Sequence, residues 1–345
     1  MKRLLVVFFI MLSVGTAALA WLWQDMHRYM ETPLFLDKNI PSFVVSKGTS
    51  FNALSGQLEK AVVITNPLYF TIYVRMNKLG GQIKAGEYFI NKDFTPSELL
   101  TTLIEGKGVQ HSITIVEGTV FKQLRSVLAA HADVVKQTLA DKSDQEILAA
   151  IGADELHPEG LFLAETFQVE RNSTDLELLQ RSYKAMQQVL DQYWQQRDQT
   201  LPYKTPYEAL IMASIVEKET AVAEERPLIA GVFIKRLTIG MRLQTDPTVI
   251  YGIGDDYQGN ITRKDLRTPS PYNTYTITGL PPTPIAMVGR EAIHAALNPD
   301  IGKALYFVAK GDGRHQFSPS LIAHNKAVRQ YQLKRKQQYR STPEP

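Results

Sequence analysis

The 345-residue chain contains no cysteine. This absence excludes disulfide bonds, thiolate metal sites, cysteine nucleophiles and an N-terminal lipoprotein linkage. The formal charge is only +3, which is too small an excess to indicate a nucleic acid as partner. With 44% hydrophobic residues, a chain of this length is predicted to form about two domains with substantial cores.

Signatures of several enzyme classes are also missing. The sequence has no His-Glu-x-x-His zinc motif, no Gly-x-Ser-x-Gly nucleophile elbow and no glycine-rich phosphate-binding loop. His315 and His324 are too far apart to form a helical metal-binding pair, and no acidic cluster accompanies them. The sequence therefore predicts neither a metal site nor a cofactor.

One long apolar segment is present, at the N-terminus. Residues Leu4 to Trp23 are uncharged and, as a helix, span roughly the 30 Å hydrocarbon core of a bilayer. Lys2 and Arg3 precede the segment, which places the N-terminus in the cytoplasm. Residues 1–24 are therefore predicted to be a cytoplasmic N-terminus and a transmembrane anchor, with the rest of the chain outside the cytoplasm.

A cleaved signal peptide is the alternative for this segment. Ala18-Leu19-Ala20 matches the small-x-small cleavage pattern, and the preceding apolar stretch has signal length. A retained anchor is favoured because the apolar run continues past that site to Trp21 and Trp23, which suit a membrane interface. Either interpretation exports the body of the protein.

Beyond the anchor, the pattern predicts an α+β protein. Strands and helices are mixed without the regular alternation that produces a doubly wound sheet. The predicted segments are a linker at 25–40, a small domain at 41–108, a larger domain at 109–332 and a C-terminal tail at 333–345.

The helix at 210–221 carries the strongest indication of chemistry. It is apolar around almost its whole circumference, so it is predicted to be buried, where an ionised Glu217 is costly unless it is paired or used. At about 100° per residue, Glu217 lines up with Ala213 and Ser214, which leave room for a ligand. Glu219 is predicted to point toward bulky packing residues. The alternative is that both glutamates are solvated at a helix end.

The segment 241–290 is rich in proline, glycine, threonine, asparagine and tyrosine. A connection of that length inside a compact chain is usually functional or disordered, and its tyrosines argue against disorder. Distinctive strings lie within and around it: Pro158–Phe167 (PEGLFLAETF), Gln244–Thr248 (QTDPT), Ser270–Tyr275 (SPYNTY), Gly279–Pro282 (GLPP) and Gly311–His315 (GDGRH).

Together with ASIVEKE around Glu217, these strings resemble those of the YceG-like family of endolytic murein transglycosylases. They occur in the family's order, and the resemblance covers about residues 40–330. It implies a single membrane anchor, a LysM-like module near 41–108 and a larger catalytic domain. It also implies a lytic transglycosylase that cleaves the MurNAc-β-1,4-GlcNAc bond within peptidoglycan strands and leaves 1,6-anhydroMurNAc ends.

The resemblance gives Glu217 the catalytic position. A glutamate packed against apolar walls stays protonated closer to neutral pH, because burial disfavours its charged form. Glu217 would first protonate the leaving oxygen and then act as base toward the muramic C6 hydroxyl, which attacks C1. One carboxylate therefore suffices, because no water is consumed.

Seven further side chains are candidates for holding the sugars. Their amides, carboxylates and hydroxyls match N-acetyl and sugar hydroxyl groups, and tyrosine rings can stack on pyranose rings. The alternative is a well hydrogen-bonded turn scaffold. The candidates are Glu159, Gln244, Asp246, Thr248, Tyr272, Asn273 and Tyr275.

Two other functions remain open from the sequence. One is a peptidoglycan glycan hydrolase that uses Glu217 with Asp246 or Glu159 as the second carboxylate. The other is a non-catalytic scaffold that binds the cell wall. In each case the chain would be a single-pass protein of the bacterial inner membrane with its main domain in the periplasm. An enzyme that cuts nascent strands would work near the peptidoglycan synthases.

Overall fold

The computed structural model describes residues 2–34, 36 and 38–333. The chain divides into two compact units. The small unit is Met1–His111 together with Gln168–Asn172, and the large unit is Ser112–Phe167 together with Ser173–Pro345. The predicted tail at 333–345 lies, after its first residue, outside the described residues.

The N-terminal helix α1 runs without interruption from Lys2 to Glu31. Within the described part of the chain, it is the one helix long and apolar enough to cross a membrane. The prediction of a linker beginning at residue 25 is wrong. The helix continues past the apolar segment because Met26 and Met30, one turn apart, are buried in the core of the small unit.

The small unit places a two-stranded antiparallel sheet beside three short helices. Its helices begin at clear caps: Ser50 accepts a hydrogen bond from Ala53 N, and Thr95 forms a capping box with Glu98. Its LysM-like character stays a prediction. Its elements are β1 (Ile40–Val45), α2 (Phe51–Lys60), α3 (Pro67–Met76), β2 (Gly86–Ile90) and α4 (Pro96–Glu105).

The large unit is mainly helical, with short strands between the helices. Strands β4 and β6 pair in parallel, and β7 and β8 form an antiparallel hairpin. The boundary between the units falls within β3 and β5. The elements are β3 (Gln110–Thr114), α5 (Phe121–Ala130), β4 (Val135–Lys136), α6 (Asp144–Ile151), β5 (Thr166–Glu170), β6 (Ser173–Thr174), α7 (Asp175–Gln196), α8 (Pro206–Glu219), α9 (Arg226–Thr238), α10 (Asp246–Ile253), α11 (Arg290–Leu297), β7 (Tyr306–Ala309), β8 (His315–Ser318) and α12 (Leu321–Tyr331).

Helix α8 lies in the middle of the large unit and packs against α7, α9, α10 and α11. Thr205 caps its N-terminus, and Pro206 occupies the first turn, where the missing N–H costs nothing. Every residue from Ala209 to Val216 is buried, which confirms the prediction of a buried helix. The mixture of helices and short strands likewise confirms the predicted mixed α and β composition.

Candidate functional site

Helix α8 ends with Glu217 and Glu219, and the two carboxylates have different surroundings. Glu217 has a side chain only 4% exposed. Its Oε2 accepts a hydrogen bond from Gly289 N at 3.0 Å, and its Oε1 lies 3.5 Å from Nη2 of Arg226. Burial raises its pKa, whereas the Gly289 N–H and the Arg226 cation oppose that rise. Glu217 is therefore held by backbone and by a cation.

The face of α8 on which Glu217 lies is filled by protein. Ser214 is fully buried. Its hydroxyl donates to Ile211 O at 2.7 Å and accepts from Ile285 N at 3.0 Å. The segment 285–288 that follows is also buried. The prediction that the small residues of this face leave room for a ligand is wrong, because the chain at 285–289 occupies that room.

Glu219 faces the loop before α10. Its carboxylate accepts a hydrogen bond from the hydroxyl of Thr245. Burial raises the pKa of Glu219 to about 7, the negative charge of Asp246 adds to the rise, and the Thr245 hydroxyl and Arg236 oppose it. Such a group is close to half protonated at neutral pH, so it can give and take a proton there.

The fold joins two of the predicted strings beside Glu219. Backbone N–H groups of Gln244 and Thr245 donate to the carbonyl and hydroxyl oxygens of Thr274, at 3.1 and 3.0 Å. The hydroxyls of Thr248 and Thr274 are 2.9 Å apart. Gln244 has a φ of 50°, which is rare for a residue with a side chain and is found where surroundings over-determine the backbone.

Thr248 and Asn273 lie inside this junction. Both are buried. Asn273 Nδ2 donates to the carbonyls of Asp265 and Thr268, at 3.0 and 2.7 Å, and its Oδ1 accepts from Tyr275 N at 3.0 Å. For these two residues, the structure favours the scaffold alternative over direct contact with a sugar.

Gln244, Asp246 and Tyr275 remain accessible at the same junction. Gln244 and Asp246 are exposed, and Tyr275 is half-buried. The Tyr275 hydroxyl donates to Oδ1 of Asp246 at 2.6 Å. These three predicted residues therefore lie near Glu219, at the junction with the loop before α10, and their polar groups are available to a ligand.

Glu159 lies on the wall of a cleft of about 1070 Å³ whose lining also includes Lys218 and Tyr272. Its buried carboxylate accepts hydrogen bonds from Phe121 N, at 3.0 and 3.2 Å, and from the Tyr251 hydroxyl at 3.2 Å. Burial raises the pKa of Glu159 to about 7. Neither Glu217 nor Glu219 is among the residues that line this cleft.

Several residues of this region were not predicted from the sequence. Thr245 belongs to the string Gln244–Thr248, but only Gln244, Asp246 and Thr248 of that string were predicted as site residues. Tyr251 follows that string by three residues and forms a ring contact with Tyr272 at 4.9 Å between centroids. Arg236, which donates to the Leu243 carbonyl at 2.5 Å, had no sequence signal beyond its place in α9.

The two histidines considered for a metal site have other partners. His315 Nδ1 lies 2.7 Å from Oε2 of Glu225. The ring of His324 stacks on Tyr306, with 5.2 Å between centroids. Within the described residues, no group of three potential metal ligands is present.

Known proteins similar to this chain show its family. The profile of the YceG-like family matches residues 43–330. The chain belongs to the YceG-like family. It is 33% identical over 310 residues to an endolytic murein transglycosylase of Bacillus subtilis (strain 168), covering 85% of this chain and 84% of that protein.

Two further matches agree with this assignment. An endolytic murein transglycosylase of Streptococcus pneumoniae (serotype 2, strain D39) is 26% identical over 367 residues, covering 96% of this chain but 65% of that protein. A 2.6 Å crystal structure of a putative YceG-like protein from Listeria monocytogenes aligns with a TM-score of 0.52 and 32% identity. That alignment covers 84% of this chain and 99% of the Listeria chain.

Proposed function

We propose that the chain is a lytic transglycosylase that cleaves MurNAc-β-1,4-GlcNAc bonds within peptidoglycan strands and leaves 1,6-anhydroMurNAc ends. Its relatives are named as endolytic murein transglycosylases, which supports peptidoglycan as the substrate. The single observation that carries the chemistry is the buried Glu219 carboxyl, whose pKa is raised to about 7 beside a loop of exposed polar groups.

We assign the proton transfers to Glu219 in place of the predicted Glu217. Glu217 is occupied by Gly289 N–H and by Arg226, and its face of α8 is filled by the chain. Glu219 faces the junction that carries Asp246 and Tyr275. A carboxyl held by one hydroxyl can reach a substrate oxygen more readily than one fixed by a cation and a backbone amide.

The reaction needs one such group. Protonated Glu219 gives its proton to the glycosidic oxygen as the bond from that oxygen to C1 of the muramic residue breaks. The resulting carboxylate takes the proton of the C6 hydroxyl as its oxygen forms a bond to C1. Glu219 ends protonated again, and no water enters. Proton transfer of this kind contributes typically about 10²–10⁴-fold in rate, and positioning of the sugars supplies the remainder.

The accessible polar groups around Glu219 are proposed to position the glycan. Gln244 and Asp246 present an amide and a carboxylate to hydroxyl and N-acetyl groups, and Tyr275 contributes a half-buried ring and a hydroxyl. Thr248 and Asn273 support them from within. Tyr272, on the neighbouring cleft, offers a ring against which a further sugar can stack.

The anchor is proposed to hold both units in the periplasm. Helix α1 fits a single-pass membrane anchor, and Lys2 and Arg3 before the apolar segment favour a cytoplasmic N-terminus. Because peptidoglycan lies outside the cytoplasm, this orientation brings the large unit to its substrate. Peptidoglycan synthases remain proposed partners on the ground of the shared substrate.

Substitutions of the two glutamates at the end of α8 test the assignment. The full chain in detergent is incubated with purified peptidoglycan, and the products are separated and weighed by mass spectrometry. Wild type is expected to produce ends lighter than hydrolysed ends by one water. Glu219→Gln is expected to lose at least about 100-fold in rate, whereas Glu217→Gln, matched for the amount of folded protein, keeps most of it.

Each opposite result has its own meaning. If Glu217→Gln loses activity and Glu219→Gln keeps it, Glu217 is the general acid, as predicted from the sequence. Hydrated reducing ends from the wild type would replace the transglycosylase with a hydrolase, for which exposed Asp246 is the available second carboxylate. No new ends at all would contradict both enzyme functions and leave the wall-binding scaffold.

A further inference from the structure

Helix α3 of the small unit is apolar on two opposite faces. Phe70 and Val74 face the core and are fully buried. On the other side, Leu68, Ile72 and Met76 are 64%, 39% and 59% exposed. Their spacing of four residues aligns them in one row, which we name the outer stripe. Single exposed apolar residues are ordinary, but an aligned row of three on the face opposite a buried apolar face indicates an apolar partner.

The position of α3 along the anchor helix indicates that partner. The Tyr69 hydroxyl donates to Oδ2 of Asp25 at 2.9 Å, and the ring centroids of Tyr73 and His27 lie 5.6 Å apart. Asn66 N donates to the hydroxyl of Tyr29 at 3.2 Å. These three α1 residues follow Trp23, the last residue of the apolar segment, by two to six positions. At 1.5 Å per residue, α3 contacts α1 about 3–9 Å beyond that segment.

That height is the height of the lipid headgroups. A bilayer is about 40–45 Å thick with its headgroups and about 30 Å without them, which leaves roughly 5–8 Å of headgroup on each side. Helix α1 continues without a break from Lys2 to Glu31, so no flexible joint separates the anchor from α3. When Leu4–Trp23 fills the hydrocarbon, the α3 residues that contact α1 lie at the level of the interfacial layer.

The side chains around α3 suit that layer. Trp21 and Trp23 of α1 are exposed, and the Trp23 ring lies 4.2 Å from that of His27. Tryptophan and tyrosine favour the interface between water and hydrocarbon. Arg75 in the last turn of α3 and Lys78, two residues after the helix, are exposed cations, which are attracted by anionic headgroups.

We propose that the outer stripe of α3 is buried in the interfacial layer of the bilayer, in contact with lipid. The small unit would therefore contact the membrane through α3 as well as through the anchor α1. The inference rests on α1 crossing the membrane and is independent of which glutamate carries the proton, or of whether the chain cleaves glycan.

The absence of cysteine makes the test direct, because a single introduced cysteine is the only site for a thiol-reactive label. Ile72→Cys and Met76→Cys report on the stripe. Lys92→Cys is the control, because its backbone N–H is bonded to Asn39, past the far end of α1, and its side chain is exposed. Each full-length variant is labelled with an environment-sensitive fluorophore and inserted, one copy per disc, into lipid nanodiscs.

Brominated lipids then show contact by quenching. Labels at positions 72 and 76 are expected to emit at shorter wavelength and to be quenched by lipids brominated near the top of the acyl chain, while the label at 92 is not. Equal behaviour at the three positions overturns the proposal. A shift to shorter wavelength without quenching by brominated lipid also overturns it, because protein then covers the stripe.

A second variant tests cause. With the label at Leu68→Cys, the additional substitutions Ile72→Glu and Met76→Glu place two charges on the stripe without touching buried Phe70 or Val74. The label at position 68 is expected to lose most of its quenching while α1 remains inserted. Insertion is checked in a separate variant that carries the same two glutamates and a label at Leu12→Cys. Unchanged quenching at position 68 would mean that the stripe does not hold α3 at the lipid.

Discussion

The Thr245 hydroxyl donates a hydrogen bond to the Glu219 carboxylate, so the end of α8 is joined to the loop that starts α10. This bond stabilises the charged form of Glu219, whereas burial stabilises the neutral form. The two effects oppose each other and leave the pKa near 7. The proton affinity of Glu219 is therefore adjustable by single substitutions around it, in directions that the structure fixes.

Thr245→Val is expected to shift the activity profile to higher pH. In the proposed mechanism, activity needs a protonated Glu219 and is lost as pH rises through its pKa. Without the hydroxyl, the charged form loses its hydrogen bond, and the pKa rises by about one unit, since such a bond is worth about 1.5 kcal/mol or more. The pH dependence of kcat/KM on purified peptidoglycan measures the shift. Thr238→Val, whose hydroxyl bonds Ile234 O instead, is the control and should leave the profile unchanged.

Asp246→Asn is expected to shift the same limb in the opposite direction. The negative charge of Asp246 raises the pKa of Glu219, so its removal lowers that pKa, and activity is lost at lower pH. Asp255→Asn changes an exposed carboxylate paired with Lys122 at 2.6 Å and serves as the matched control. A shift toward higher pH in Asp246→Asn would contradict the assignment of Glu219.

Glu217→Gln is expected to cost stability more than catalysis. Arg226 would lose its buried charge partner and, among the described residues, keep an ion pair with Glu117 at 3.9 Å. An incompletely paired buried cation is costly, and we expect a loss of about 1–3 kcal/mol in the free energy of unfolding. Thermal unfolding of the detergent-solubilised chain measures it. An unchanged melting temperature together with lost activity would point to a chemical role for Glu217.

Ser214→Ala tests whether the face below Glu217 is core or ligand site. The substitution leaves Ile285 N–H without its hydrogen-bond partner in a buried setting, so a loss of about 1–3 kcal/mol is expected. Denaturant unfolding followed by tryptophan fluorescence reports the loss. A stable variant with weakened substrate binding would instead restore the ligand groove predicted for this face.

Gly231→Ala is expected to destabilise the large unit. A methyl group at that position would lie 1.9 Å from the carbonyl oxygen of Asp300. This oxygen belongs to the backbone, which moves aside less easily than the end of a flexible side chain. A loss of about 1–3 kcal/mol or more is expected from such overpacking. Gly56→Ala on α2 is the counterpart, because nothing lies within 4 Å of its added methyl group. That variant should gain roughly 0.4–1 kcal/mol, and equal melting temperatures for the two would contradict the packing.

Sequence periodicity predicted α8 well because its signal is local. A helix that is apolar all round must be buried, and Ala209 to Val216 are. Periodicity also placed Glu217 and Glu219 on different faces, but it assigned bulky packing residues to the face of Glu219, where the Thr245 hydroxyl lies. It could not predict what packs against each face, since Ser214 meets Ile285, 71 residues away. Small residues admit a neighbouring backbone as readily as a ligand, and here the backbone of 285–289 is the neighbour.

The end of the anchor was mispredicted for a related reason. A linker was predicted from residue 25, but Met26 and Met30 are four residues apart on one face of α1 and are buried. That spacing of four was the available signal. Thr248 and Asn273 were predicted as site residues from the family motifs in which they occur. Their burial results from packing between the segments around 245–248 and 273–275, which no local sequence pattern shows.

The uninterrupted helix from Lys2 to Glu31 couples geometry on the two sides of Trp23. One residue inserted between the apolar segment and Asp25 would turn the small unit by about 100° and raise it about 1.5 Å. Seven inserted residues would lift it roughly 10 Å and return it nearly to its original bearing. With α1 as the proposed membrane anchor, the register of this helix sets both the height and the rotational orientation of the small unit above the bilayer.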